Sequence, residues 1–221
     1  MVNVPQAAFG LIALVMAVPG AQAATCSRRP AIAVQVDVHE APIIAHDNLS
    51  LSELQRMAAQ AKRPPAHPVL GFYTGTIGYT LQRADVLNEA SPTLDAEPCP
   101  RLDIQAGLVA IDRRIAVARD LSAAPCRLRA ATEHYRRHAA AASLALHRFA
   151  AELPRTLESE MERYVLSHPG LSQAQQPDVR QHVESLLDRA VKMLSASLAE
   201  IQAGVDTPSE VRSLSTACGE T

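Results

Sequence analysis

The chain has 221 residues, 21 of them Lys or Arg against 23 Asp or Glu, for a formal net charge of −2, with no Trp and only 3% aromatic residues. A balance this close to neutral leaves no basic footprint for a polyanion, and few rings are available to stack on bases or sugars, so nucleic-acid binding is disfavoured. The core has to be built from Ala, Leu, Val and Ile, and about 200 residues suffice for one compact domain.

Positions 7 to 18 form an apolar run, followed by Pro19-Gly20 and then Ala21-Gln22-Ala23, a small-x-small cleavage signal. This is the pattern of a secretory signal peptide over residues 1–23, although Met1 to Gln6 contain no Lys or Arg. A run of ~12 apolar residues is too short to cross ~30 Å of hydrocarbon as a helix. Cys26, preceded by Thr25, does not sit in a lipidation box. The mature chain, 24–221, is therefore expected in a periplasmic or secreted setting, and it contains no later stretch suited to a transmembrane span.

Cys26, Cys99, Cys126 and Cys218 all follow the cleavage signal. Four cysteines in an exported chain read as two disulfides, for which three connectivities exist. The favoured one joins Cys99 to Cys126 across a loop of ~28 residues and Cys26 to Cys218 across the ends of the mature chain, each contributing ~3 kcal/mol or more. None of the four sits in a C-x-x-C pair, which argues against a cysteine zinc site.

Along the chain, Ala31 to Val38 alternates as a strand does. Ser50 and Glu53 form a capping box ahead of Leu51, Leu54 and Met57, which predicts a short helix ending before Pro64-Pro65. Val69 to Leu81 has period two with Gly71, Gly75 and Gly78 inserted, predicting a bulged strand or a hairpin turning near Gly75. Ala84 to Pro100 has loop composition, and Leu102 to Val117 suggests a hairpin with Asp112-Arg113-Arg114 between its arms.

Helix is predicted after Pro125-Cys126, running through Phe149, kinked or restarted at Pro154, and continuing over Leu157, Met161 and Val165 to His168-Pro169-Gly170. A last helix begins after Pro177-Asp178, with Val179, Val183, Leu186, Ala190, Leu194, Leu198 and Ile201 as its stripe, and ends at Gly204. The short connection makes the two helices antiparallel neighbours. The expected class is α+β: a small N-terminal antiparallel sheet with one short helix (24–125), two or three long helices (126–204), and a C-terminal tail (205–221).

One constellation can carry chemistry. In Glu133-His134-Tyr135-Arg136-Arg137-His138 the histidines stand at i and i+4, so both imidazoles project from one helix face about 6 Å apart along the axis. That is the spacing by which H-E-x-x-H peptidases hold zinc, with the Glu after the first His serving as general base. Here that position is Tyr135.

With its export signal, its β-rich N-terminal part, the Leu102 to Val117 segment and Cys126 ahead of the two-histidine helix, residues 30 to 165 resemble a bacterial domain-of-unknown-function family of secreted zinc peptidases of the H-E-x-x-H type. The resemblance implies His134 and His138 as zinc ligands and assigns nothing to Tyr135. General-base catalysis contributes 10²–10⁴-fold, so the implied protein is a catalytically impaired or inactive zinc-peptidase-like protein whose partner is a peptide or protein. Glu133 precedes the first histidine and lies ~200° around the helix from the base position, where it suits an i,i+4 ion pair with Arg137.

His147 points away from the pair, and Glu152, Glu158, Glu160 and His182 are third-ligand candidates that no spacing singles out. Two further readings stay open. In one, the histidines bind no metal and the protein is a non-enzymatic periplasmic interaction module using its long amphipathic helices. In the other, it is an active metallopeptidase with an unorthodox base. His39-Glu40 and His46-Asp47 are adjacent pairs whose members face opposite sides of a strand, and Tyr73 and Tyr79 suit strand packing.

Overall fold

The computed structural model describes residues 30–46, 48–60, 69–88, 100–216 and 218. The expected signal peptide, Asp47, Cys26 and Cys99 lie outside them. The order of elements is β1 (Ala31–Glu40), β2 (Ile44–His46), α1 (Leu51–Ala59), β3 (Gly71–Asn88), β4 (Pro100–Val117), α2 (Pro125–Ser167), α3 (Gln176–Val205) and α4 (Pro208–Thr216). The class is α+β, with the sheet in the N-terminal half and the long helices in the C-terminal half.

The sheet is mixed where an antiparallel one was expected. Central strand β4 pairs in parallel with β1 and β2 along one edge and antiparallel with β3 along the other. Alternation identifies a strand but not its neighbour, and here the last strand in sequence takes the middle place. Of the two readings for Val69 to Leu81 the bulged strand holds, whereas the hairpin expected over Leu102 to Val117 is replaced by one strand, β3 and β4 each running unbroken for 18 residues. β3 absorbs its glycines with register shifts at Thr74/Thr76 and Leu81/Arg83 and continues to Asn88, into what had loop composition.

Strand β4 explains how the sheet meets the helices. Leu102, Ile104, Ala106, Leu108 and Ala110 are buried at period two. At Asp112 the backbone turns to φ 52, a left-handed conformation that an Asp tolerates better than most residues. This single residue does not reverse the chain, as a hairpin would. It changes the phase of the alternation, so that Arg113, Ile115 and Val117 become the buried residues. The β1/β2 break and the β3 bulge fall at the same level.

The phase change separates two cores. The larger packs Leu102 to Ala110, with Ala84 and Val86, against Leu146, Leu153, Leu157 and Met161 of α2 and Val179, Val183, Leu187 and Leu194 of α3. The smaller gathers Ile115, Val117 and Leu121 with Leu54 of α1 and with Ala131 and Ala139 of α2. Fully burying a Leu, Ile or Met in such a core is worth about 1.5–3 kcal/mol. Helix α1 starts with the expected capping box: Glu53 N–H donates to Ser50 Oγ at 3.2 Å, and Ser50 N–H to Glu53 Oε2 at 2.7 Å.

Helix α2 runs through Pro154 without restarting. Its first-turn Pro125 suits a position whose N–H has no helical acceptor. Gly170, at φ 84, allows the reversal into α3. The region expected as a tail forms α4. Among the described residues no helix is long and apolar enough to cross a membrane.

Gly71 sits where the first turns of β3 approach α2. A Cβ there would lie 2.2 Å from the Ala116 carbonyl oxygen and 2.6 Å from Tyr135 Cε2, whereas one at Gly78 would find only Val109 Cγ2 at 3.4 Å. Gly71→Ala is therefore expected to destabilise the fold by ~1–3 kcal/mol and Gly78→Ala by much less. Urea unfolding of the two variants side by side checks this, and equal midpoints would contradict the packing described.

Candidate metal centre

The buried stripe of α2 continues from its apolar part toward the N-terminus as Ala142, His138, His134 and Ala131. The two histidines are 6% and 2% exposed, so they occupy core positions and not the helix edge. Antiparallel packing sets them opposite the C-terminal end of α3, where the stripe Leu194, Leu198 continues at the same spacing as Gln202 and Asp206. The third donor is thus Asp206, the residue that caps α3. Reading 205–221 as a tail hid it, and the four acid and histidine candidates raised from sequence are not in the cluster.

His134 Nε2 and His138 Nε2 lie 3.1 Å apart, and Asp206 Oδ1 stands 3.1 Å from the first and 2.9 Å from the second. Three donor atoms on an ion at ~2.05 Å with tetrahedral angles are about 3.3 Å apart. The triangle matches this to within a few tenths of an ångström. His134, His138 and Asp206 could hold a metal ion.

The protonation pattern supports the fit. Gln202 Nε2 donates to the His138 backbone oxygen at 3.1 Å, which fixes its amide so that Oε1 faces His138 Nδ1 in a short hydrogen bond. Nδ1 is then the donor in that bond, and Nε2 faces His134 and Asp206. This is the outer partner that metal-ligating histidines ordinarily have.

Burial pushes His134 below the usual histidine value, with the nearby His138 acting in the same direction and Asp206 against it. A neutral imidazole is the ligand form. Its Nδ1 is buried and has no partner among the described residues, a deficit worth about 1–3 kcal/mol.

Tyr135, which follows the first histidine, cannot act as a general base. Its ring stacks near-parallel on His138 at 5.8 Å between centroids. Burial pushes its hydroxyl up to about 12, against the backbone N–H groups of Gly71 and Leu70. It stays a neutral phenol. Glu133 is exposed and pairs with Arg136 at 3.8 Å, not with Arg137 as its spacing suggested. Arg137 instead bonds Glu210 of α4.

Beside the triad opens a cavity of about 500 Å³, lined by His138, Asp206 and Gln202 at one end and by Glu40, Arg113 and Ser143 at the other, with Phe72, Tyr73 and Tyr135 among its walls. His147 is turned away from the histidine pair, as helix geometry required, and reaches Glu40 Oε1 at 2.9 Å. Ser143 Oγ donates to the same oxygen at 2.5 Å. Compared with models of known protein families, with curated proteins and with solved structures, the chain finds no match in any of the three.

The segment carrying Asp206 is held from beyond. Cys126, at the start of α2, is disulfide-bonded to Cys218 just past α4, with Cα atoms 5.8 Å apart. This overturns both favoured pairings, Cys99 with Cys126 and Cys26 with Cys218, because each needed one of these two sulfurs. Chain ends looked like natural partners in the sequence, but the antiparallel α2–α3 pair returns the C-terminus to the beginning of α2. Peptide mapping without reduction should recover Cys126 linked to Cys218. Replacing both by Ser should lower the unfolding free energy by ~2–5 kcal/mol, in keeping with a sequence separation of 92; a linked Cys99–Cys126 peptide would refute the assignment.

Proposed function

We propose that the chain is an exported zinc-binding protein of the secreted-peptidase type, catalytically impaired, that keeps a peptide-binding cavity beside its metal. The observation that carries this reading is the convergence of two imidazole nitrogens and one carboxylate oxygen within 3.1 Å of one another at the mouth of an open cavity. Two histidines and an acid are the donors of the catalytic class of zinc site, in which the fourth position takes water or a ligand. Zinc there would supply a Lewis acid for a carbonyl oxygen.

Impairment follows from the cavity's acids. Asp206 is a ligand, and Glu40 is committed to Arg113, Ser143 and His147. No other carboxylate lines the cavity among the described residues. A base is worth 10²–10⁴-fold, and its loss leaves binding without efficient turnover. Export rests on the N-terminal pattern of residues 1–23 and is supported by a disulfide, which persists in oxidising compartments.

A second reading, an interaction module without metal, draws on the outer faces of α2 and α3. There Leu144 and Met193 are 53% and 58% exposed, and a shallow groove runs past Phe149, Leu194 and Ile201. Metal content separates the two. Purified without chelator, the protein should carry about one zinc per chain. His134→Ala, His138→Ala and Asp206→Ala should each abolish retention, and Gln202→Ala should weaken affinity ~10–100-fold by freeing the His138 ring. Zinc-free protein at micromolar zinc, or full retention in the Asp206 variant, would sink the metal reading.

Impairment has its own test. Tyr135→Glu should raise peptide hydrolysis by the zinc-loaded protein, by up to the 10²–10⁴-fold of a general base. Wild-type turnover at the rate of an efficient peptidase would contradict it.

A further inference from the structure

The end of the cavity remote from the triad has no role in metal binding, and it contains the protein's one buried cation among the described residues. Arg113 is 8% exposed and lines the cavity, carried there by the phase change at Asp112. We propose that Arg113 is a carboxylate-recognition residue: the cavity takes the C-terminal end of a peptide, with the free α-carboxylate on Arg113 and a backbone carbonyl turned toward the metal. This rests on the metal reading above for the second contact and on Arg113 alone for the first.

The guanidinium is only partly used. Its Nη1 donates to the Ala41 carbonyl at 3.2 Å and stands 2.6 Å from Glu40 Oε2, and its Nε donates to the Tyr73 hydroxyl at 3.4 Å. The Glu40 contact is close yet poorly directed, since Oε2 accepts no aligned hydrogen bond. Nη2 has no partner among the described residues. Burying a cation is costly unless its donors are satisfied, and a planar fork with a spare nitrogen is suited to a carboxylate. Glu40 and Asp206 both line the cavity, so a monoanion is tolerated there better than a doubly charged phosphate.

The spacing suits a peptide. Glu40, next to Arg113, is anchored to Ser143 and His147, five and nine residues beyond His138 on α2, which places it roughly 7–13 Å along the helix from the triad. An extended chain advances ~3.5 Å per residue. With a metal contact of ~2 Å at one end and a hydrogen bond of ~2.9 Å at the other, the carbonyl facing the metal belongs to the residue one or two before the terminus. Phe72, Tyr73 and Tyr135 give the terminal side chain apolar walls.

The test titrates N-acetyl-Gly-Phe and its C-terminal amide into the zinc-loaded full chain by calorimetry. The acid is expected to bind ~10–100-fold more tightly, the worth of a charge-assisted hydrogen bond. Arg113→Lys should bring the acid close to the amide with zinc content unchanged, and Glu40→Gln, which removes a competing negative charge, should tighten the acid further. Equal affinities of acid and amide, binding of neither, or undiminished discrimination in the Lys variant would overturn the proposal and leave the Arg113–Glu40 pair as a brace for the kinked sheet. Should Arg113→Lys not fold, the wild-type comparison and Glu40→Gln decide it. Failure here with zinc bound leaves the metal reading standing, and absence of zinc with discrimination intact removes only the carbonyl contact.

Discussion

Strand β4 must face the helices along its whole length, yet an 18-residue strand with a single phase would present one unbroken set of alternate side chains to them. Asp112 breaks that set by one residue. On one side Leu102 to Ala110 seal the main core, and on the other Ile115 and Val117 seal a smaller one. The two cannot merge across the irregularity, because β3 bulges and the β1/β2 edge is interrupted at the same level. The cavity is the space left between them, and Arg113 is the first side chain after the change of phase. A left-handed non-glycine residue costs a small amount of backbone energy; here it produces both the hollow and the charge within it.

The candidate metal centre depends on a second regularity. Helices α2 and α3 pack antiparallel along two stripes that are apolar for most of their length, and both stripes turn polar at the same end. Two histidines on one helix meet a glutamine and an aspartate on the other, at the same i and i+4 spacing as the leucines they extend. The donors are held by helix packing and not by loops, with Gln202 setting the His138 ring and α4, fastened through Arg137–Glu210 and the disulfide, closing over the end. The weak point is His134, whose Nδ1 lacks an outer partner among the described residues.

Much of this was legible in the sequence, and the rest was hidden for physical reasons. The capping box at Ser50, the long helices and the placement of His134 and His138 on one helix face are local patterns that the sequence alone carries. Strand partners are not among them, because alternation carries no information on which edge of β4 a strand will join. Asp112 has the local signature of a turn, and sequence alone does not distinguish a residue that reverses a strand from one that shifts its phase. Asp206 was missed for a different reason. The stripe of α3 was followed only while it stayed apolar, though its next two positions, Gln202 and Asp206, keep the spacing and simply change chemistry. Following the period past the change of polarity, on both helices at once, would have found the third donor.

Tyr135 joins the two halves of the problem. Its ring packs against Gly71, at the glycine of β3 where a Cβ cannot be accommodated, and stacks on His138. A carboxylate of peptidase type at this position would be small, hydrated and free to reach a water on the metal. The phenol is large, partly buried and packed against the start of β3. Tyr135 therefore offers no carboxylate as proton acceptor and at the same time forms a wall of the cavity. If zinc occupies the triad as proposed, both features favour retention of a bound carbonyl over its hydrolysis.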